Sequence, residues 1–411
     1  MRLQMFERVW RKSALTCGAV LILSTLGIAQ AYQQTNLVSD FQCNTPTSTQ
    51  PCLAPTPDGN LVNPWGLISS DMSPWWVSDN NGGVSTLYDG NSGAIVPLVV
   101  NIPPIITDPQ TNKAKGTGTP TGVVFTGASG FTFHAKNAQG QDTTTGAVFT
   151  FVTEEGTIVA WGPGIDPNNL PNDAFVVVDN SKNPTADRGA VYKGATIAQM
   201  KAGGPFFLYV TNLRSGRIEV YDSKFKLVDL GDADNDHDDQ AFADREIPNG
   251  FAPFNVQEVN GSLYVTYAKQ NASKHDDFDF PGLGFVDKFS ATGNLLQRLE
   301  QGPWLNAPWG VAIAPANFGF FSSHLLIGNA GSGQIAVFDA KSGRFDGLLR
   351  DANGHGLQND RLWALRFGND HSAGPSNWLF FTAGISGESH GLFGFFTPAD
   401  KSTPENNRDD Q

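Results

Sequence analysis

The stretch Ala307–Gly343, APWGVAIAPANFGFFSSHLLIGNAGSGQIAVFDAKSG, decides the fold. Pro308-Trp309-Gly310 opens a short apolar run, Val311–Ile313. Leu325–Ile327 then reaches the turn Gly328-Asn329-Ala330-Gly331, and Gln334–Phe338 follows, closed by Asp339 and Gly343. Apolar runs this short, broken by Gly and Asn, are too brief for helices and suit antiparallel strands joined by tight turns.

A single sheet of this kind cannot bury both faces, so it must recur. The same pair of strands reads at Trp75–Tyr88 (WWVSDNNGGVSTLY), Val148–Trp161 (VFTFVTEEGTIVAW) and Leu208–Tyr221 (LYVTNLRSGRIEVY). It reads again, with an insertion, at Leu263–Phe289, then at Leu325–Phe338 and Leu379–Phe395. First-strand signals precede most copies: Pro64-Trp65-Gly66, Pro120-Thr121-Gly122, Pro253-Phe254-Asn255, Pro308-Trp309-Gly310 and Leu362-Trp363-Ala364. The third copy lacks one, and its first strand is placed at Ala190–Ile197. The order P-x-G-apolar, L-apolar-apolar-turn, I-x-V-F-D-x-x-x-G resembles an NHL repeat, one blade of a β-propeller. The expected fold is therefore all-β, a six-bladed propeller of four-stranded antiparallel blades. The sixth copy ends at Phe396 without an outer strand, and Asn36–Phe41 (NLVSDF) is expected to supply it, closing the ring.

Outside the repeats, Arg2, Arg8, Arg11 and Lys12 precede an apolar core, Ala14–Ile28, and Ala29-Gln30-Ala31 offers small residues for cleavage. Residues 1–31 read as a secretory signal peptide, with an uncleaved N-terminal anchor as the alternative. Residues 32–397 are then the propeller and 398–411 a disordered polar tail. Export makes Cys43 and Cys52 a candidate loop-closing disulfide, and places the protein in a periplasmic or extracellular compartment. The formal charge of −13 argues against nucleic acid or an anionic membrane surface as partner. No other stretch is apolar enough to span a bilayer, and the chain is expected to be a monomer.

Two insertions interrupt the array. Asp232–Glu246 (DADNDHDDQAFADRE) alternates Asp232, Asp234, Asp236 and Asp238 as in Ca²⁺ loops, but has His237 and Ala243 where such loops need Gly and Glu. A solvated acidic loop is the simpler reading. Lys269–Phe280, with Lys274-His275-Asp276-Asp277, reads as a charged surface loop.

In a propeller, the turn between second and third strands and the lead-in to the first strand open on one face, around the central channel. These positions carry Asp79, Glu154, Asn212, Tyr267, Asn329 and the Glu388–His390 loop, with Asn63, Thr119, Asn255, Asn306 and Arg361. Glu154, Asp79, Asn212, Asn255 and Asn329 are the candidate ligands for Ca²⁺ or another divalent cation. Glu388 and His390 are the candidate catalytic pair, and Asn63, Asn306 and Arg361 the candidate binding residues. Similar acids and amides hold a divalent cation in six-bladed lactonase and gluconolactonase-like enzymes. Asp and Asn at such turns also bond their own backbone, which alone explains their use. Glu154 is the exception, because Glu makes such turn bonds poorly. Trp65, Phe254, Trp309 and Trp363 occupy equivalent first-strand positions, either as core or as a platform for a ring-shaped ligand. Arg366, on an otherwise apolar inner strand, needs an acid, a carbonyl or a bound anion.

The motifs NPWGL at Asn63, APFN at Ala252, LYVTYAKQ at Leu263, NAPWG at Asn306, LWALRFG at Leu362 and ESHGLFG at Glu388 are similar to those of an uncharacterised family of exported bacterial propeller proteins, from about Asn36 to Phe396. That resemblance implies the fold and export, and no activity. Two functions fit: a scaffold binding a protein, glycan or small-molecule ligand on its loop face, or a divalent-metal-dependent hydrolase of the lactonase type.

Overall fold

A computed structural model describes residues 31–41, 52–108, 113–114, 117–136, 141–163, 173–183, 188–231 and 241–399. Six antiparallel sheets follow one another along the chain. The first blade pairs Pro64–Ile68, Trp75–Asp79, Val84–Tyr88 and Val100–Asn101 in that order. The second comprises Pro120–Phe125, Phe149–Thr153, Thr157–Trp161 and Phe175–Asp179, with a hairpin, Thr132–Lys136 and Asp142–Gly146, inserted after its first strand. The third runs Tyr192–Gln199, Phe206–Asn212, Arg217–Tyr221 and Leu227–Val228, and the fourth Phe251–Val259, Ser262–Lys269, Gly284–Phe289 and Leu295–Arg298. The fifth is Pro308–Ile313, Leu325–Asn329, Ile335–Phe338 and Phe345–Leu348. Among the described residues the only helical element is one 3₁₀ turn, Gly319–Phe321. No helix there is long and apolar enough to cross a membrane.

The sixth blade takes Leu362–Phe367, Leu379–Ala383 and Leu392–Pro398 from the C-terminal end and its outer strand from the N-terminal end. That outer strand is Tyr32–Ser39, four residues upstream of the expected start, running antiparallel from Tyr32↔Pro398 to Ser39↔Leu392. Thr56–Pro57 adds a short parallel strand outside it. Tyr32 explains the shift: its ring is buried against Phe318 and Phe321, and its hydroxyl donates to Phe318 O and accepts from Phe321 N–H. The strand is anchored by that aromatic, which lies outside the apolar stretch the sequence pattern picks out. The first strand of the third blade likewise begins two residues later than expected, at Tyr192.

The first strands form the inner ring and pack on one another in blade order. Each blade buries a face against its neighbour through large aromatics. Trp76 stacks on Phe149 at 3.9 Å between blades one and two, and Trp75 meets Phe380 at 5.1 Å between one and six. Polar bonds cross the same seams. Thr382 Oγ1, on a second strand, accepts from Ala364 N–H in its own blade and donates to Trp65 O in the next at 2.7 Å. Thr211 repeats the device, accepting from Gly194 N–H and donating to Phe254 O. A hydroxyl placed there satisfies a donor freed by a bulge in the inner strand and ties two blades together.

Residues 1–30, Cys43, Asp232, Asp234, Asp236, Asp238 and the tail from 400 lie outside the described residues. Cys52 is disulfide-bonded.

Candidate functional site: a charged collar over a closed channel

The channel axis is filled. Trp65 and Trp363 stack at 3.6 Å, and Phe254 and Trp309 meet both edge-on at 6.1–6.2 Å. All four are buried, so the repeated aromatics are core, and they seal the axis as well as joining blades. Leu213 and Ala330, each just past the end of a second strand, and Ala268, near the end of one, belong to the same cluster.

The equivalent slot in the third blade holds Lys193, in Tyr192-Lys193-Gly194. Its side chain is 0% exposed. The ammonium lies 4.9 Å from the Trp65 ring centroid, bonds Glu154 Oε1, and reaches Asp276 Oδ1 at 3.0 Å. A buried ammonium over an aromatic face gains a cation–π term, but it needs charge partners to stay ionised. Burial alone would lower the Lys193 pKa; Glu154 and Asp276 outweigh it and hold it above the ordinary value.

From Lys193 a chain of polar contacts runs around the mouth and returns. Glu154 Oε2 accepts from Asn80 Nδ2 at 3.1 Å, and Asn80 Oδ1 accepts from Asn63 Nδ2 at 3.3 Å. Asn63 Nδ2 also donates to Glu388 Oε2 at 3.0 Å, while its Oδ1 accepts from Trp363 Nε1 at 3.1 Å, joining collar to aromatic floor. Glu388 Oε1 pairs with Arg361 Nε, and Arg361 Nη1 with Asp277 Oδ2, both at 3.0 Å. Asp277 is the chain neighbour of Asp276, which closes the circuit at Lys193. Five blades contribute, and Asn63, Arg361 and Glu388 each hold a positive φ that turns the chain at this face.

The circuit sets its own proton affinities. Burial raises Glu388 despite Arg361, with Asp277 adding repulsion. Burial likewise raises Asp277 against the pull of Arg361 and Lys193. Burial alone would raise Asp276, but bonds from His275 and Lys193 hold it well below the usual carboxylate range. Arg361 is held above its ordinary value because Asp277, Glu388 and Asp279 outweigh its burial.

The structure divides the residues singled out from sequence. Glu154, Asn63, Arg361 and Glu388 come together in the collar. Asp79, Asn212 and Asn329 turn back into their own blades. Asp79 Oδ2 accepts from Thr86 N–H and Oγ1–H. Asn212 accepts from Val191 and Ser215 N–H and donates to Glu219, and Asn329 accepts from Asn306 N–H. These are backbone-satisfying roles, and they set these residues apart from Glu154. Strand alternation is the reason: the residue one further along, Asn80 in blade one and Glu154 in blade two, faces the mouth. Asn255 lies within the channel wall, its Nδ2 donating to Trp309 O of the next blade at 2.8 Å. Asn306 is buried, with no hydrogen-bond partner for its Oδ1. His390 belongs to the ring-closure seam, where Nδ1 meets Asp40 Oδ2 at 2.7 Å and the ring stacks on Phe41 at 4.0 Å. Arg366 finds a carbonyl, Leu67 O, at 3.3 Å, and burial pushes its pKa down to about 10.

Lys193, Asn80, Asp276 and Asp277 are collar residues the sequence reading missed. Lys269–Phe280 is not simply a surface loop: its Asp276 and Asp277 complete the circuit. The available signal was Lys193 itself, a lysine in the slot that is aromatic in four other blades.

Comparison with known proteins adds the following. No family model matches the chain. An uncharacterized protein of Acanthamoeba polyphaga mimivirus is 27% identical over 359 residues, 87% of this chain and 86% of the relative. A second uncharacterized protein of the same virus is 25% identical over 380 residues, 92% of this chain and 84% of the relative. These relatives are viral, not bacterial as the motif resemblance implied. Among solved structures, the soluble aldose sugar dehydrogenase of Escherichia coli aligns with a TM-score of 0.47 and 14% identity, over 83% of this chain and 97% of that one. Streptogramin B lyase aligns at 0.41 and 14%, over 90% and 97%. At these values neither likeness speaks to activity.

Proposed function

We propose that this chain is an exported binding scaffold, holding a small polar ligand, a glycan or a protein partner on its loop face, and that the collar is architecture rather than a catalytic centre. The observation that carries this is Lys193. Its ammonium engages Glu154 and Asp276, the two carboxylates best placed to share a divalent cation, so the positive charge there is built into the chain. The sealed axis supports the same reading, since no reactant can enter beneath the collar. Export rests on the basic and apolar start of the sequence and is compatible with a disulfide-bonded Cys52.

A metal-dependent hydrolase of the lactonase type is the second reading. One observation favours it: ligand atoms of Glu154, His275 and Asp276 lie within 4.8 Å of one another. It requires the Lys193 ammonium to leave. A screen of lactones and carboxylic esters, with and without added Mn²⁺, Zn²⁺ or Ca²⁺, separates the two. No turnover above buffer is expected; metal-dependent turnover abolished in Glu154→Gln would overturn the scaffold.

A further inference from the structure

Beside the collar, on the same face, a hollow of about 520 Å³ opens between blades three and four. Its walls come from the lead-in to blade three (Asn183, Arg188–Ala190), the turn Asn212–Ser215 and the blade-four insertion at Ala272–Lys274. Arg188, Arg214 and Lys274 line it, and among the described residues no carboxylate does. In a chain with 40 acidic against 27 basic residues, three basic residues lining one hollow, with no acid among its described lining, is the reverse of what composition supplies.

Arg214 is held in place, and the backbone that carries Lys274 is fixed by a tight turn. Arg214 is only partly exposed, and Nη1 donates to Gly189 O across the hollow at 2.7 Å, which fixes the guanidinium and leaves its other donors open. Lys274 sits at a φ of +56° at the tip of a tight turn. That turn is closed by Lys274 N–H to Asn271 O, with Ser273 Oγ and His275 N–H both donating to Asn271 Oδ1. Its base is held to the collar by the Asp276–Lys193 pair. A fixed guanidinium with two further basic residues lining the same hollow favours a planar or tetrahedral oxyanion, where charge-assisted and bidentate bonds are strongest. The volume suits a small molecule larger than the bare ion.

We infer that this hollow binds a small molecule bearing an oxyanion, a carboxylate or a phosphate, gripped by Arg188, Arg214 and Lys274. The inference rests on reading the loop face as a binding surface, and deepens it by naming the ligand chemistry. Electrostatic focusing in a concave site would also steer such an anion past the acidic remainder of the surface.

The test is calorimetric titration of the full chain at low ionic strength with inorganic phosphate, glucuronate and glucose. An anion should bind and glucose should not. Preference for phosphate assigns a phosphate-bearing ligand; preference for glucuronate assigns a carboxylated sugar. Arg214→Gln combined with Lys274→Gln should weaken binding by about tenfold or more. The matched pair Lys341→Gln with Arg344→Gln, exposed residues in the turn after a third strand, should leave it unchanged. An unaltered thermal melt of each pair shows that folding is intact. Neither anion binding at millimolar concentration, equal binding of glucose, or wild-type affinity in the Arg214/Lys274 pair would overturn the inference. Metal-dependent ester turnover would instead overturn the scaffold reading and leave this site standing.

Discussion

Replacing Lys193 by Met keeps the apolar stem to within one atom of its length and removes the charged tip that the collar is built around. Two carboxylates then lose their shared partner. Glu154 is 11% exposed and keeps only the Asn80 bond, whereas Asp276 is 53% exposed and recovers much of its loss from water. Breaking a buried pair from one side costs ~3–5 kcal/mol, and the exposure of Asp276 places this case at the lower end, about 3 kcal/mol. With an unfolding entropy of about 2.1 cal/mol/K per residue over roughly 360 residues, the melting point should fall by about 4 °C. The vacated space leaves Glu154, His275 and Asp276 with ligand atoms within 4.8 Å of one another, a donor set of one imidazole and two carboxylates that suits Zn²⁺ or Mn²⁺. A divalent ion at a hundred times its dissociation constant would restore about 2.7 kcal/mol, most of the loss. Differential scanning fluorimetry of wild type and Lys193→Met, with and without 1 mM MnCl₂ and with EDTA (the concentration is of the order used for weak sites), reads both effects. Wild type should not respond to metal, and the variant should melt lower and recover with Mn²⁺. A variant as stable as wild type, or a wild type whose melting point drops on chelation, would refute the reasoning.

Other outcomes follow from the same contacts. Trp363→Ala opens a cavity in the axial cluster and removes the Nε1 bond to Asn63, so about 3–5 kcal/mol should be lost in urea unfolding. Thr382→Val keeps shape but strands Trp65 O and Ala364 N–H at the seam between blades six and one; about 1–3 kcal/mol should disappear in the same assay. Asp287 is buried, and its pKa is pushed up to about 8 by burial and by Asp244 beside it. An acid whose folded pKa exceeds its unfolded value binds its proton more tightly when folded, so this contribution to stability is fully present at low pH and is lost as pH rises from about 4 towards 8. Asp287→Asn should flatten that decline in melts between pH 5 and 9 (a range set by the carboxylate and shifted values); an unchanged slope would reject the assignment. Deleting Tyr32–Ser39 should expose the edge Leu392–Pro398 and produce aggregation by light scattering, since an open edge templates further pairing.

The blades were legible because each repeats one local rule: a Pro- or Leu-led inner strand, an apolar second strand, and a turn rich in Asn, Asp and Gly. Closure by the N-terminal segment was legible too, because the sixth copy lacked an outer strand. Its boundaries were not, since Tyr32 earns its place through a hydroxyl buried against Phe318 and Phe321, far away in sequence. The collar was half legible. Glu154 stood out because a glutamate gains little in a turn, and Asn63, Arg361 and Glu388 fell at blade lead-ins and turns. Asp79, Asn212 and Asn329 looked equivalent to Glu154, but strand alternation turns them into their own blades, one position out of phase with the mouth. Asp276 and Asp277 sit on an insertion whose fold-back depends on a partner, Lys193, from another blade. No local pattern reports such a pairing; a lone lysine inside a buried strand is the trace it leaves.

The central claim is that the collar's cation is Lys193 and not a metal. The measurement that tests it most directly is the divalent-metal content of the purified chain by mass spectrometry, for wild type, Glu154→Gln and Lys193→Met. The account predicts that Glu154→Gln leaves whatever the wild type carries unchanged, and that Lys193→Met gains an ion when supplied with Mn²⁺ or Zn²⁺. A stoichiometric ion in the wild type that disappears in Glu154→Gln would contradict it.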